Sequence, residues 1–226
     1  MQRLYVAIYS GLTSQTGKAP LLEILYIIAI TVEAMSGAIA AGKKQMDPFG
    51  ILIIACVTAF GGGTLRDLVL DNHPLVWVGR PDFLIITCSA ALLIILVRPW
   101  IKYLTEAFLV LDAIGLITFS IIGAQKTLQL GHSYLIASIM AVFTGAFGGV
   151  IRDILCNQVP LVFRKELYGS ISFLAAWMFL GLTMTSLSMT ACIVMTLITG
   201  FALRILAITM NLELPKFNFD DQNKKG

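Results

Sequence analysis

Twice the sequence sets an arginine beside an aspartate within an apolar run, as Arg66-Asp67 and as Arg152-Asp153. Glycines precede each pair, Gly61-Gly62-Gly63 in the first case and Gly148-Gly149 in the second. A charge at the centre of a bilayer costs about 2.5–3.5 kcal/mol on insertion scales, so an intramembrane charge points to pairing or to a path. Snorkelling accounts for an arginine near a helix end, and is the reading for Arg204, but it does not account for an adjoining aspartate. Sequence neighbours point about 100° apart on an intact helix. A direct Arg-Asp pair therefore requires a broken helix, or each side chain bonds the backbone of another helix.

The glycines admit two readings. Close helix packing is one, and Gly145-x-x-x-Gly149 has that spacing. The other is a break that turns backbone carbonyls toward a watery path. Recurrence of the glycines ahead of Arg-Asp favours the break. Thr58, Thr64 and Thr144 add hydroxyls that, with such carbonyls, replace part of a cation's hydration shell. Lys126 ends an apolar run and either gates a path or snorkels. Glu33 falls mid-run, where a carboxylate defaults to a functional hypothesis, and Asp112 enters its run from one end. His73 and His132 fall between runs. Cys56, Cys88, Cys156 and Cys192 lack Cys-x-x-Cys spacing and neighbouring histidines, so they read as small hydrophobes, with no metal site and no disulfide framework. No nucleotide fingerprint, Walker sequence, zinc-binding His-Glu-x-x-His or nucleophile elbow occurs, so neither a cofactor nor an enzyme is expected.

Composition says what must carry these residues. Of 226 residues, 58% are hydrophobic and only 13% charged, where a soluble surface needs about 25–35% charged residues. Disorder, nucleic-acid binding and a water-facing globular enzyme are poor readings of such a chain. A membrane-spanning helix takes about 20 apolar residues, and seven stretches qualify: 22–41, 49–70, 82–98, 106–126, 134–156, 167–186 and 188–210. The third is the weakest, bracketed by Pro81 and Pro99. Trp77, Trp100, Tyr103, Tyr134 and Tyr168 stand at expected ends, where interfacial aromatics belong. Ahead of the first stretch, residues 4–8 are too short for a signal peptide's apolar core, so the first anchor is expected to be retained.

The chain also repeats itself. Gly62-Gly63-Thr64-Leu65-Arg66-Asp67 returns 86 residues later as Gly148-Gly149-Val150-Ile151-Arg152-Asp153. The same offset pairs Pro74-Leu75-Val76 with Pro160-Leu161-Val162, Gly37-Ala38 with Gly123-Ala124, and Thr58 with Thr144. The expected organisation is a polar segment over 1–20, a three-helix repeat over 21–100, a second over 101–186, a seventh helix over 187–210 and a polar tail over 211–226. Three crossings per copy make the copies inverted, the arrangement of many solute-handling membrane proteins.

These motifs carry a family resemblance. Ser36-Gly37-Ala38, Gly42-Lys43-Lys44, Asp47-x-Phe49-Gly50 and Thr58-x-x-Gly61-Gly62-Gly63-Thr64-Leu65-Arg66-Asp67 resemble the prokaryotic branch of the trimeric intracellular cation (TRIC) channels. So do Asp112-Ala113-x-Gly115, Gly123-Ala124-Gln125-Lys126 and Gly148-Gly149-x-x-Arg152-Asp153 in the second copy. The resemblance spans roughly residues 21–210. It implies an all-α membrane fold of seven crossings and a homotrimer in a lipid membrane. It also implies a pore in each protomer, between kinked second and fifth helices, for monovalent cations, chiefly potassium. Lys126 then matches a basic residue at the pore mouth. Position 130 is Leu, where lipid-regulated relatives would carry a second basic residue, and Glu33 stands where the family implies an apolar or small residue. Some bacterial relatives are labelled glycine transporters, which leaves a second reading open: a carrier for a small zwitterion.

Orientation follows from lysine and arginine in the connections. Nine (Lys43, Lys44, Arg98, Lys102, Arg164, Lys165, Lys216, Lys224 and Lys225) fall on one side, and four (Arg3, Lys18, Arg80 and Lys126) on the other. The richer side is cytoplasmic by the positive-inside rule, which puts the N-terminus outside the inner membrane. A reporter fused after Gly226 should read cytoplasm, and a cysteine placed within 127–132 should label from outside. The reverse labelling would overturn the orientation.

Overall fold

Local capping chemistry starts the helices where the apolar runs begin. Asp47, Ser133 and Ser188 accept hydrogen bonds from the backbone N–H groups of Gly50 (2.6 Å), Ile136 (3.4 Å) and Ala191 (3.2 Å). Each bond satisfies one of the donors that a first turn leaves open. These caps begin α2 (Pro48–Val69), α5 (Tyr134–Leu155) and α7 (Met189–Thr209). The other long helices are α1 (Ala19–Lys43), α3 (Asp82–Leu96), α4 (Ile101–Gln129) and α6 (Tyr168–Thr183). A single helical turn, Val76–Gly79, precedes α3, and a 3₁₀ turn, Leu161–Phe163, precedes α6. The computed structural model describes residues 19–97, 101–163, 167–210 and 212, and no strand occurs among them.

α2 and α5 are alike at both ends. Each is 22 residues long, and each is closed by a residue in the left-handed region, Asp71 (φ 50°) or Asn157 (φ 51°). Asp and Asn tolerate that conformation better than most residues. Beyond them Asn72 N–H donates to the Asp67 carbonyl, and Gln158 N–H to that of Asp153, both at 2.8 Å. The turns entering the two helices match as well. Gln45 (φ 57°) and Gly131 (φ 85°) occupy the left-handed region, flanked by Met46 N–H to Ala41 O and His132 N–H to Thr127 O, each 3.3 Å.

Five helices (α1, α2, α4, α5 and α7) have the length and hydropathy to cross a membrane. α3 and α6 are apolar but only 15 and 16 residues long, about 22–24 Å at 1.5 Å per residue against about 30 Å of hydrocarbon. The stretches expected at 82–98 and 167–186 are thus shorter as helices than as apolar runs.

One buried cluster joins α1, α2 and α3 through Ile30, Ile39, Ile54, Phe60 and Phe83, with Phe119 of α4. A second joins α4 through α7 around Leu116, Ile121, Phe179, Leu180 and Ile193. Many contact residues are small: Ala29, Ala34, Ala41, Ala55, Ala113 and Ala124 are fully buried. Small side chains let helices approach closely where lipid removes the hydrophobic drive to associate. Large apolar residues such as Phe49, Ile85, Leu96 and Ile198 face outward.

Three expectations change. α2 and α5 run through their glycines as uninterrupted helix, so the expected breaks do not form. Tyr168 is buried instead of interfacial, and Arg204 is fully buried instead of snorkelling; its guanidinium stacks 4.7 Å from the Tyr168 ring. Most of the polar segments 1–20 and 211–226 lies outside the described residues. So do Trp100, the side chains of Lys102 and Tyr103, and the charges Arg3, Lys18, Arg98, Arg164, Lys165, Lys216, Lys224 and Lys225.

Candidate functional site

The glycines of α2 and α5 meet the other helix's backbone. A Cβ placed on Gly62 would collide with the Thr144 carbonyl, coming 2.9 Å from its carbon. One on Gly148 would collide with the Thr58 carbonyl, 3.2 Å from its carbon. Gly61 lies in the same contact, its added Cβ 3.4 Å from the Gly148 Cα. The two threonines are seated in one way. Each hydroxyl donates to the carbonyl four residues back, Thr58 to Ile54 and Thr144 to Met140, both at 2.6 Å. Each Oγ1 lies where a Cβ on Gly37 or Gly123 would come within 2.6 Å. α1, α2, α5 and α4 are therefore joined in series through glycine–threonine contacts. The packing reading of the glycines is the one realised.

One turn further along α5, Arg152 gathers a buried polar set. Its Nε donates to Asp153 Oδ1 (2.8 Å), and its Nη1 donates to Ser36 Oγ of α1 and Asp112 Oδ1 of α4, each 2.7 Å. Its guanidinium stacks 4.7 Å from the Phe108 ring, and Asp153 Oδ2 accepts from Leu161 N–H at 2.9 Å. The adjacent pair thus closes directly on an intact helix, contrary to the sequence expectation. The arginine stem is long enough to fold back along the preceding turn. Gly149 gives it room: a Cβ there would stand 3.4 Å from Arg152 Nη2.

Arg66 on α2 is held differently. Its Nε and Nη2 both donate to Asp67 Oδ1 (3.0 and 2.8 Å), and Asn72 Nδ2 donates to the same oxygen at 3.1 Å. Gly63 lies beside this guanidinium as Gly149 does beside the other. No second carboxylate bonds Arg66 among the described residues, because Tyr26 occupies the position matching Asp112. Both arginines are buried, and burial of an ion pair is tolerable only where the charges compensate one another.

Glu33 sits deep between α1 and α4, 2% exposed, its carboxyl packed against the backbone of Gly115. Neither oxygen has a hydrogen-bond partner, and Asp112 Oδ2 and Tyr168 Oη are likewise unpartnered. Lys126 is half-buried in the last turn of α4, and no hydrogen bond or ion pair joins it to these sets among the described residues. Thr64 accepts from Trp77 Nε1 at 3.1 Å. No group of three potential metal ligands occurs among the described residues.

The structure thus brings Glu33, Asp112, Arg152 and Asp153 together at one level, and Thr58, Gly61, Gly62, Thr144 and Gly148 at another. Sequence reasoning missed Ser36, Phe108, Tyr168 and Asn72 as partners. No pattern in the chain marks them, since each is supplied by a helix distant in sequence or by a loop. Gly37 and Gly123 did carry a signal, their recurrence in one register.

A family model described as "Glycine transporter" matches residues 23–99 and 109–184. The chain is 38% identical over 207 residues to the UPF0126 inner membrane protein YadS of Escherichia coli (strain K12), covering 88% of this chain and 98% of that protein. A UPF0126 membrane protein of Vibrio cholerae is 36% identical over 198 residues, covering 87% and 83%. Among solved structures, the TRIC trimeric intracellular cation channel orthologue from Rhodobacter sphaeroides superposes with a TM-score of 0.79 at 30% identity, over 85% of this chain and 99% of its own. A prokaryotic TRIC channel crystallised in 0.5 M KCl gives 0.80 at 27% identity, over 87% and 100%.

The unequal charge sets predict unequal tolerance. Asp67→Asn removes the one carboxylate bonded to Arg66 among the described residues, and losing a partner from a buried pair costs about 3–5 kcal/mol. Asp153→Asn leaves Asp112 on Arg152. Melting temperatures in detergent should fall further for Asp67→Asn; the opposite order would mean that Asp112 does not share the load.

Proposed function

We propose that this chain, which belongs to the TRIC channel family whose sequence model is described as "Glycine transporter", is a membrane channel for monovalent cations, chiefly potassium. The observation that carries the reading is likeness over nearly the whole length of solved TRIC cation channels. The proposed architecture is seven crossings in two inverted three-helix repeats plus α7. α3 and α6 cross as short helices, with local bilayer thinning or snorkelling ends. The matched caps, turns and glycine–threonine contacts of α2 and α5 support the repeat. So do the starts of the two family-matched stretches, residues 23 and 109, which stand as far apart as Arg66 and Arg152. The proposed assembly is a homotrimer, as the name of the Rhodobacter sphaeroides relative suggests, in the inner membrane, as that of the Escherichia coli relative suggests, with the C-terminus cytoplasmic by the charge imbalance.

The path runs beside α2 and α5. Each arginine is neutralised by its own aspartate, so a cation meets no net positive charge there. The Thr58 and Thr144 hydroxyls donate to backbone carbonyls, which leaves their oxygen lone pairs to replace part of a cation's hydration shell. α2 and α5 touch at Gly62 and Gly148, and conduction requires them to part. The proposed path is closed at that level. Lys126 sits at the outer mouth, where its charge tunes cation access.

Purified protein in a planar bilayer under asymmetric potassium chloride should give discrete currents reversing near the potassium potential. Lys126→Ala should change conductance or its voltage dependence with little loss of folded protein. Unchanged currents would reduce Lys126 to a snorkelling end residue. Electrical silence with saturable glycine uptake into liposomes would replace the channel reading with the carrier that the family description names.

A further inference from the structure

Glu33 is the one buried carboxylate of its set without a hydrogen-bond donor. The charged groups acting on it are Asp112 from α4 and Arg152 and Asp153 from α5; among the described residues α2 and α3 direct none at it. Tyr168 of α6, stacked with Arg204 of α7, lies beside the same set. Arg152 is already engaged by two carboxylates through its Nε and Nη1. Ionised Glu33 would thus give this set three carboxylates to the one Arg152 guanidinium, with no donor bonded to either Glu33 oxygen at 2% exposure. A protonated carboxyl adds no charge. The carboxyl also lies against the Gly115 backbone, where an added Cβ would stand only 2.6 Å from Glu33 Cδ, a fit that suits a proton better than a coordinated metal ion.

We propose that Glu33 is the binding site of one exchangeable proton, and that releasing it rearranges the Arg152 ion pairs. The site has a nearby acceptor: Asp112 is one helical turn from Gly115, and its Oδ2 is unpartnered. It also has a route to the helix crossing. Ser36, one turn from Glu33 on α1, accepts from Arg152 Nη1, so a Glu33 carboxylate would compete with Asp112 for that guanidinium. Arg152 is one turn from Gly148, which packs on Thr58. Loss of the proton to Asp112 or to water leaves a carboxylate that draws Arg152 toward α1 and shifts α5 at its contact with α2. The coupling to flux rests on the channel reading above; the proton site does not.

Infrared spectroscopy of the full-length protein in lipid tests the site without requiring transport. At neutral pH a protonated-carboxyl band should be present. It should shift on carboxyl carbon-13 labelling of glutamate but not of aspartate, exchange slowly in deuterium oxide, and vanish in Glu33→Gln. If Glu33→Gln fails to accumulate, the label-sensitive band in the wild-type protein decides the matter alone. Absence of a glutamate-labelled band overturns the proton site. So does a melting temperature that rises with sodium or potassium chloride in the wild type but not in Glu33→Gln, which would assign the site to a metal cation. In liposomes, wild-type cation flux should vary between acid and alkaline pH, and that dependence should be lost in Glu33→Gln. A wild-type pH profile in Glu33→Gln would overturn the coupling.

Discussion

Two helices touch here at the level of their backbones, and the rest of the arrangement accommodates that contact. Gly62 of α2 meets the Thr144 carbonyl of α5, and Gly148 of α5 meets the Thr58 carbonyl of α2. An added methyl at either position has nowhere to go, because its obstacle is main chain. Each threonine in turn rests its hydroxyl on a glycine of a flanking helix, Gly37 on α1 or Gly123 on α4. In lipid, where apolar side chains gain little by leaving their surroundings, such close approach is what holds helices together. On the proposed path beside α2 and α5, the contact that holds the helices together would also have to open for conduction.

The buried charges lie one helical turn beyond that contact. Their two sets share an arginine, an aspartate and a glycine that makes room for the guanidinium, but they differ in support. Arg152 is shared among Asp153, Asp112, Ser36 and the Phe108 ring, and so ties α1, α4 and α5 together. Arg66 answers to Asp67, with Asn72 at the helix end. Two charge sets of similar sequence are therefore tied unequally, firmly at Arg152 and loosely at Arg66. Glu33 places a further buried carboxyl beside the Arg152 set without a hydrogen bond to it.

Apolar runs and a constant register made much of the helical framework legible. The glycine repeat could be seen but not interpreted. Packing and breaking call for the same residues, and only the opposing backbone, distant in sequence, distinguishes them. The Arg-Asp geometry was misjudged because sequence spacing fixes the direction of Cα–Cβ bonds and not the reach of a long side chain. Arg204 and Tyr168 looked like end residues by position, yet each supplies the other's buried surroundings, a pairing that no local pattern encodes. Depth in its run singled out Glu33, but its lack of donors emerges only once α4 and α5 are packed around it.

Glycine-to-alanine substitution reads the central contact most directly. Gly62→Ala and Gly148→Ala each force a methyl onto a carbonyl, an overpacking of about 1–3 kcal/mol. Gly42 and Gly181 face open space in helices and serve as controls; alanine there should be neutral or stabilising by up to about 1 kcal/mol. The account predicts that both contact variants melt well below the wild type, by similar amounts, while both controls melt at or above it. A Gly62→Ala or Gly148→Ala protein that melts with the controls would contradict the claim that backbone contact joins α2 to α5.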